Sequence, residues 1–185
     1  MPDSSLRSRL VRDSRGFTLI ELLTALSMLL IVMTALTSVL IAATKTEEEM
    51  NRRFASQINA RIALDQLRRE IHCASAVTPT GASASITIVL GNRCPSAASG
   101  TTVSWCTSGS GTRYSLYRQT GATCSASGKK TVDYLTGGTV FTFTAQSATS
   151  LAILSVTLPV NTKPETGLPD YRLTDDIVLR NSTRA

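Results

Sequence analysis

The sequence predicts an α+β protein: a long N-terminal transmembrane helix that continues into a globular head, with an antiparallel β-sheet packed on it. Three observations predict it. An uncharged run covers Leu22 to Ala43, an apolar pattern with steps of three and four follows to Ala74, and short β-type runs bounded by turn residues begin after Thr78. The 185 residues, 42% hydrophobic, suffice for one ordinary domain.

The uncharged run is interrupted only by Thr24, Ser27, Thr34, Thr37 and Ser38. As a helix it reaches roughly 33 Å, against roughly 30 Å of hydrocarbon in a bilayer. A cleaved secretory signal is the competing reading, but its apolar core is about 7 to 15 residues, shorter than this run. Arg7, Arg9, Arg12 and Arg15 precede the run, and Glu47, Glu48 and Glu49 follow it. The positive-inside tendency therefore keeps the N-terminus in the cytoplasm and puts the head outside, a single-pass arrangement in the cytoplasmic (inner) membrane. The same arginines, set against Asp3 and Asp13, account for part of the net charge of +6, so the pI near 9.5 is no strong sign of a nucleic-acid partner.

One residue departs from a plain anchor. Glu21 lies within the apolar segment Phe17-Thr18-Leu19-Ile20-Glu21-Leu22-Leu23. A charge near the bilayer centre costs about 2.5 to 3.5 kcal/mol or more, so such an acid calls for a partner. The alternative is an interfacial Glu21 that snorkels towards headgroups six residues past Arg15.

Gly16 followed by Phe17-Thr18-Leu19-Ile20-Glu21-Leu22-Leu23 resembles the cleavage and methylation motif of type IV prepilins and type II secretion pseudopilins. The resemblance rests on a basic leader ending in glycine, an aromatic residue next, a glutamate five residues past the cut, and a membrane helix. It implies cutting by a prepilin peptidase between Gly16 and Phe17, N-methylation of Phe17, and assembly with other pilin or pseudopilin subunits into a filament. The ammonium created on one subunit would then meet Glu21 of its neighbour, neutralising two charges that are costly in a dry core. Leu67-Arg68-Arg69-Glu70-Ile71 and Ile177-Val178-Leu179-Arg180-Asn181 are similar to minor pilins and J-type pseudopilins, which points to a minor subunit. The expected organisation is a leader over 1–16, a transmembrane and filament-core helix over 17–43, an amphipathic extension over 44–77 and a β-rich head over 78–185.

Beyond the membrane, Met50, Phe54, Ile58 and Ile62, then Leu64, Leu67, Ile71 and Ala74, read as one apolar stripe. Glu48 with Arg52, Glu49 with Arg53 and Asp65 with Arg69 form acid-first pairs on the opposite face. One helix is expected from about Thr18 to Ala76, stopping before Pro79. A free coiled coil is the alternative, but the stripe is clean for only about three turns. Strands are expected at Ile86 to Leu90, Thr102 to Cys106, Arg113 to Arg118, Val132 to Leu135, Thr139 to Thr144, Leu151 to Leu158 and Ile177 to Arg180, with Phe141 and Phe143 on one face.

Cys73, Cys94, Cys106 and Cys124 all fall on the exported side, where two disulfides are expected. If the helix end and the first three strands form a meander, Cys73 and Cys106 share one end of the strands and Cys94 and Cys124 the other. That placement pairs Cys73 with Cys106 and Cys94 with Cys124. Zinc is the alternative, but the spacing has no paired CxxC, so neither metal nor cofactor is expected.

Catalysis is not expected either. His72 and Cys73, adjacent on a helix, point to different sides, and neither GxSxG nor HExxH occurs. Gly121 to Thr131 faintly resembles a phosphate loop but has six residues between its glycines, and it reads as a hairpin loop. Asp170, Asp175 and Asp176 lack calcium-loop spacing and read as a solvated turn. Arg93, Arg113, Arg118, Lys129 and Lys130, with Trp105, Tyr114 and Tyr117, leave DNA as a second partner class; the competing reading packs the aromatics inward. Asn181-Ser182-Thr183 fits a glycosylation acceptor.

Overall fold

The computed structural model describes residues 16–91, 94 and 101–180. The N-terminal leader, Arg93 and the Asn181-Ser182-Thr183 triplet lie outside these. The chain divides into two compact units, Met1–Glu48 and Glu49–Ala185.

A single helix, α1 (Leu19–Cys73), opens the fold. It is long and apolar enough to cross a membrane, and residues 16–48 are exposed throughout. The polar interruptions in this stretch satisfy themselves. Thr24 donates to the carbonyl of Glu21 at 2.9 Å, Ser27 to Thr24 at 2.8 Å, Thr34 to Ile31 at 2.8 Å, Thr37 to Met33 at 2.7 Å and Ser38 to Ala35 at 2.7 Å. A hydroxyl bonded to its own helix can sit in hydrocarbon without an outside partner.

In the second unit the expected single stripe is two faces. Ser56, Ala60, Ala63, Leu64, Leu67, Glu70 and Ile71 are buried, whereas Met50, Phe54 and Ile62 are 65%, 65% and 58% exposed and Ile58 is 38% exposed. The reason is geometric. Each step of four advances about 40° around a helix, so three steps carry the row away from the face on which Leu64 lies. The ion pairs shift too: Glu49 pairs with Arg53 as expected, but Asp65 takes Arg68 at 3.0 Å.

Among the described residues, nine antiparallel strands form the head: β1 (Ala74–Thr78), β2 (Gly81–Ser83), β3 (Ser85–Leu90), β4 (Thr102–Ser110), β5 (Arg113–Thr120), β6 (Lys129–Leu135), β7 (Phe141–Thr144), β8 (Ile153–Val160) and β9 (Tyr171–Val178). Their order is β1-β3-β4-β5-β6-β8-β7-β2, with β9 on β8. The outermost strands, β1 and β2, are separated in sequence by Pro79 and Thr80 alone. Two linking residues reach about 11 Å, whereas eight flat strands span roughly 34 Å, so the sheet has to curl until its ends meet.

The helix stops at Cys73, and residues 74–78 are strand, not the last helical turn expected up to Ala76. Pro79 follows β1. Gly91 makes the return possible: its N–H donates to the Cys73 carbonyl at 3.1 Å, and a Cβ there would lie 2.8 Å from that oxygen. At the hairpin between β4 and β5, Gly109 has φ 154° and would place a Cβ 2.1 Å from the Arg113 carbonyl, so only glycine fits.

Alternation makes the core. Ile86, Ile88 and Leu90 of β3 and Leu154, Val156, Leu158 and Val160 of β8 point inward at every second position, with Trp105, Phe141, Leu67 and Ile71 between. Strand β4 breaks the rule, with Val103, Ser104, Trp105 and Cys106 all buried. Its outer face is covered by residues 121–124: Ser104 donates to the Gly121 carbonyl at 2.6 Å, and Cys124 is bonded to Cys106.

The disulfides are Cys73–Cys94 and Cys106–Cys124, with Cα separations of 5.3 and 5.8 Å, which corrects the expected pairing. The unforeseen strand β1 is the cause. Because Ala74 pairs with Leu90, the helix end lies beside the exit of β3, next to Cys94. Cys106 pairs across from Ser85, at the opposite end of β3.

Candidate processing and assembly segment

The N-terminal segment is built locally. Thr18 Oγ1 accepts the Glu21 N–H at 3.3 Å, so Thr18 caps the helix and Glu21 occupies its third position, the Thr-x-x-Glu pattern of a capping box. A carboxylate in a first helical turn also favours the positive end of the helix dipole. Sequence reading missed this local role, although Thr18-Leu19-Ile20-Glu21 spells it. Gly16 precedes the helix, and an added Cβ there would meet nothing within 4 Å. Among the described residues, neither neighbours nor a left-handed backbone require glycine at that position. Phe17 is 77% exposed.

In the head, the side chain that sequence reading missed is Glu70, 2% exposed. Its Oε2 accepts the Trp105 indole N–H at 2.8 Å, and its Oε1 accepts Arg118 Nε at 2.8 Å and the second guanidinium nitrogen at 2.7 Å. The helix is thereby joined to β4 and β5 through one buried carboxylate. A charged residue on the same face as Ala63 and Leu67 was the available signal.

The remaining candidates are dispersed. Trp105 is fully buried, Tyr114 packs against the core, and Tyr117 is half-buried. Arg113 pairs with Glu165 at 3.2 Å, Arg118 with Glu70, and Lys130 with Asp133 at 2.7 Å, while Lys129 is exposed. Partial burial works against the charge on Asp133. Hydrogen bonds from Lys130, Ser115 and the Tyr134 N–H outweigh it and hold the carboxyl below its usual value, while Asp133 raises Lys130. Glu49, hydrogen-bonded by Lys163 and then Arg53, is also held below the usual carboxylate value.

Gly128 to Thr131 is no phosphate cradle, since Lys129 already begins β6. His72 Nδ1 donates to the Val178 carbonyl at 3.2 Å. The three aspartates do not form a turn: Asp175 and Asp176 lie in β9, where Asp175 takes Arg68 at 2.8 Å and Asp176 takes Ser155 at 2.5 Å, and Asp170 accepts from Thr136 at 2.6 Å. Among the described residues no group of three metal-binding side chains converges.

A long apolar N-terminal helix followed by a curled antiparallel sheet defines an α+β, pilin-like class of protein. Within that class the chain carries a prepilin-type N-terminus: residues 11–37 match the family described as the prokaryotic N-terminal methylation motif. Neither a curated protein nor a solved structure matched the chain. The motif supports a membrane-anchored subunit of the type IV pilin or pseudopilin kind, a structural role.

Proposed function

We propose that the protein is a minor subunit of a type IV pilus or type II secretion pseudopilus. It is cut between Gly16 and Phe17 by a prepilin peptidase, methylated on Phe17, and assembled with other subunits through its N-terminal helix. The match of residues 11–37 to the methylation motif carries this reading. The N-terminus stays cytoplasmic and the head lies outside, as the arginines before the span favour.

Two structural facts support it. Among the described residues Gly16 has no local reason to be glycine, which supports a narrow peptidase subsite as the reason. The hydroxyls of the membrane stretch bond within the helix, so Glu21 is left as the group needing an outside partner, and the new ammonium of a neighbouring Phe17 supplies it. The exposed row Met50, Phe54, Ile58 and Ile62 gives subunits an apolar surface to cover.

Intact mass with N-terminal sequencing of protein from its own membranes tests the reading. A chain starting at methylated Phe17 supports it, whereas an intact N-terminus or a cut beyond Ala42 rejects it. Glu21→Ala should leave insertion and cutting intact and reduce recovery in sheared filaments; normal incorporation would count against the ammonium pairing. DNA binding gains nothing from a buried Trp105 and three ion-paired basic residues.

A further inference from the structure

A hollow of about 60 Å³ lies between one stretch of α1 and the chain that leaves β8 and enters β9. Arg53, Ser56 and Gln57 line it from the helix, and Asn161, Thr162 and Tyr171 from the other side. Its hydrogen-bonding groups divide sharply. Ser56 donates to the Arg53 carbonyl at 2.8 Å. Asn161 is saturated: its amide donates to the Leu168 carbonyl at 2.9 Å and to Asp170 at 3.2 Å, and its oxygen accepts the Lys163 N–H at 2.9 Å.

The others retain donors that no protein acceptor takes among the described residues. Thr162 is 4% exposed, and its Oγ1 has no partner, which is costly for a buried hydroxyl. Tyr171 Oη accepts from Arg61 at 3.1 and 3.3 Å, so its own proton remains to be donated. The half-buried Gln57 amide makes no hydrogen bond among the described residues. Charge adds a direction. Arg53 and Lys163 share Glu49, Arg61 lies on Tyr171, and Asp170 accepts from Thr136 and Asn161. Arg53 alone of these lines the hollow, and the charged groups bonded at or behind its lining are three cations against two carboxylates. Surplus donors under a net positive surround favour an acceptor that carries negative charge, and the volume suits a group of a few heavy atoms.

We propose that this hollow binds a carboxylate or another small oxyanion, held by Arg53, Gln57 and Tyr171 at its wall, with the buried Thr162 hydroxyl just behind them turning in to donate. The proposal stands apart from the filament reading, because the ligand can be a free anion or an acidic side chain of an adjoining copy. The full chain in lipid nanodiscs is titrated with acetate and with sulfate at constant ionic strength set by chloride. NMR follows the Thr162 methyl and the Gln57 side-chain amide. Saturable shifts at both residues are expected. They should weaken about tenfold in Thr162→Val, as when one hydroxyl donor to a charged acceptor is removed.

Thr162→Val keeps the side-chain shape, and Gln57→Leu serves as a second variant should the first misfold. Ordered water only, seen as water contacts at Thr162 without saturable displacement by either anion, overturns the proposal. So do shifts that persist unchanged in both variants. A photoreactive residue placed at position 57 separates the two sources. A crosslink to an acidic residue of a second copy that acetate competes away assigns the ligand to the neighbour; saturable binding without that crosslink assigns it to a free anion.

Discussion

Removing the Glu70 carboxylate should loosen the head more than any surface change of equal size. In Glu70→Ala, the Trp105 indole N–H, fully buried, loses its acceptor, and Arg118, whose side chain is 20% exposed, loses its counter-ion. An orphaned buried donor costs about 1–3 kcal/mol. Breaking a buried ion pair costs about 3–5 kcal/mol, and the partial exposure of Arg118 reduces that share. Together these give a loss of about 3 kcal/mol, a large part of the roughly 5–15 kcal/mol that holds a domain folded. For a head of this size the midpoint should fall by about 10 °C. Thermal unfolding of the full chain in detergent, read by Trp105 fluorescence and near-ultraviolet circular dichroism, measures it. Glu70→Leu combined with Arg118→Met and Trp105→Phe should recover most of the loss, because replacing a buried polar set as a whole leaves nothing unpaired. A drop below about 1 kcal/mol in the single variant would refute the argument that the carboxylate joins helix to sheet.

Peptide mapping without reduction should recover Cys73 linked to Cys94 and Cys106 linked to Cys124, and a Cys73–Cys106 peptide would contradict the strand order. Replacing either pair by serine should cost about 3 kcal/mol, the value for loops near the observed separations of 21 and 18 residues. The Lys130–Asp133 pair should act at both ends of the pH scale. Asp133, depressed when folded, contributes above its ordinary value of 3.8 and loses that contribution as pH falls through the folded value; Lys130, raised when folded, contributes below 10.5 and loses it as pH climbs through its own. With side chains 40% and 51% exposed the effect stays under about 1 kcal/mol, so Asp133→Asn should flatten both limbs of the midpoint-against-pH curve only slightly. Phe54→Ser, at a position 65% exposed, should leave the unfolding midpoint within about 2 °C yet lower recovery in filaments; a large fall in midpoint would mean that Phe54 belongs to the core.

Most strands were legible because their signal is local. Alternation at Ile86, Ile88 and Leu90 needs only one buried face, and β3 appears within one residue of its expected start. Strand β1 was not legible, because Ala74-Ser75-Ala76-Val77-Thr78 follows a good helix without a break and has no strong alternation of its own. It becomes a strand through tertiary pairing with β3, and missing it placed Cys73 at the wrong end of the sheet. The start of β9 was missed for a related reason. Tyr171 to Asp176 alternates only between half-buried and exposed positions, since Arg61 and Arg68 cover its polar side chains. The division of the helix into a buried and an exposed face was miscounted because rows spaced by four drift around the cylinder.

The candidate site separates along the same line between local and non-local causes. Gly16, Phe17 and Glu21 form a linear motif, readable without a fold because, in the function proposed, a peptidase and a membrane would read the chain in that form. Within the fold, however, position 21 also has a local setting: Thr18 caps the helix against its backbone N–H, and a carboxylate in this first turn suits the positive end of the helix dipole. A cap would be served by glutamine, which keeps the hydrogen-bonding geometry of the position and removes the charge. The two roles therefore predict different outcomes for Glu21→Gln. If the residue serves the cap alone, helix content and filament recovery both persist; if its charge answers the ammonium of a neighbour, helix content persists and recovery falls. That contrast isolates the electrostatic role from the local one, which Glu21→Ala cannot do, since alanine removes the charge and the polar end of the side chain together.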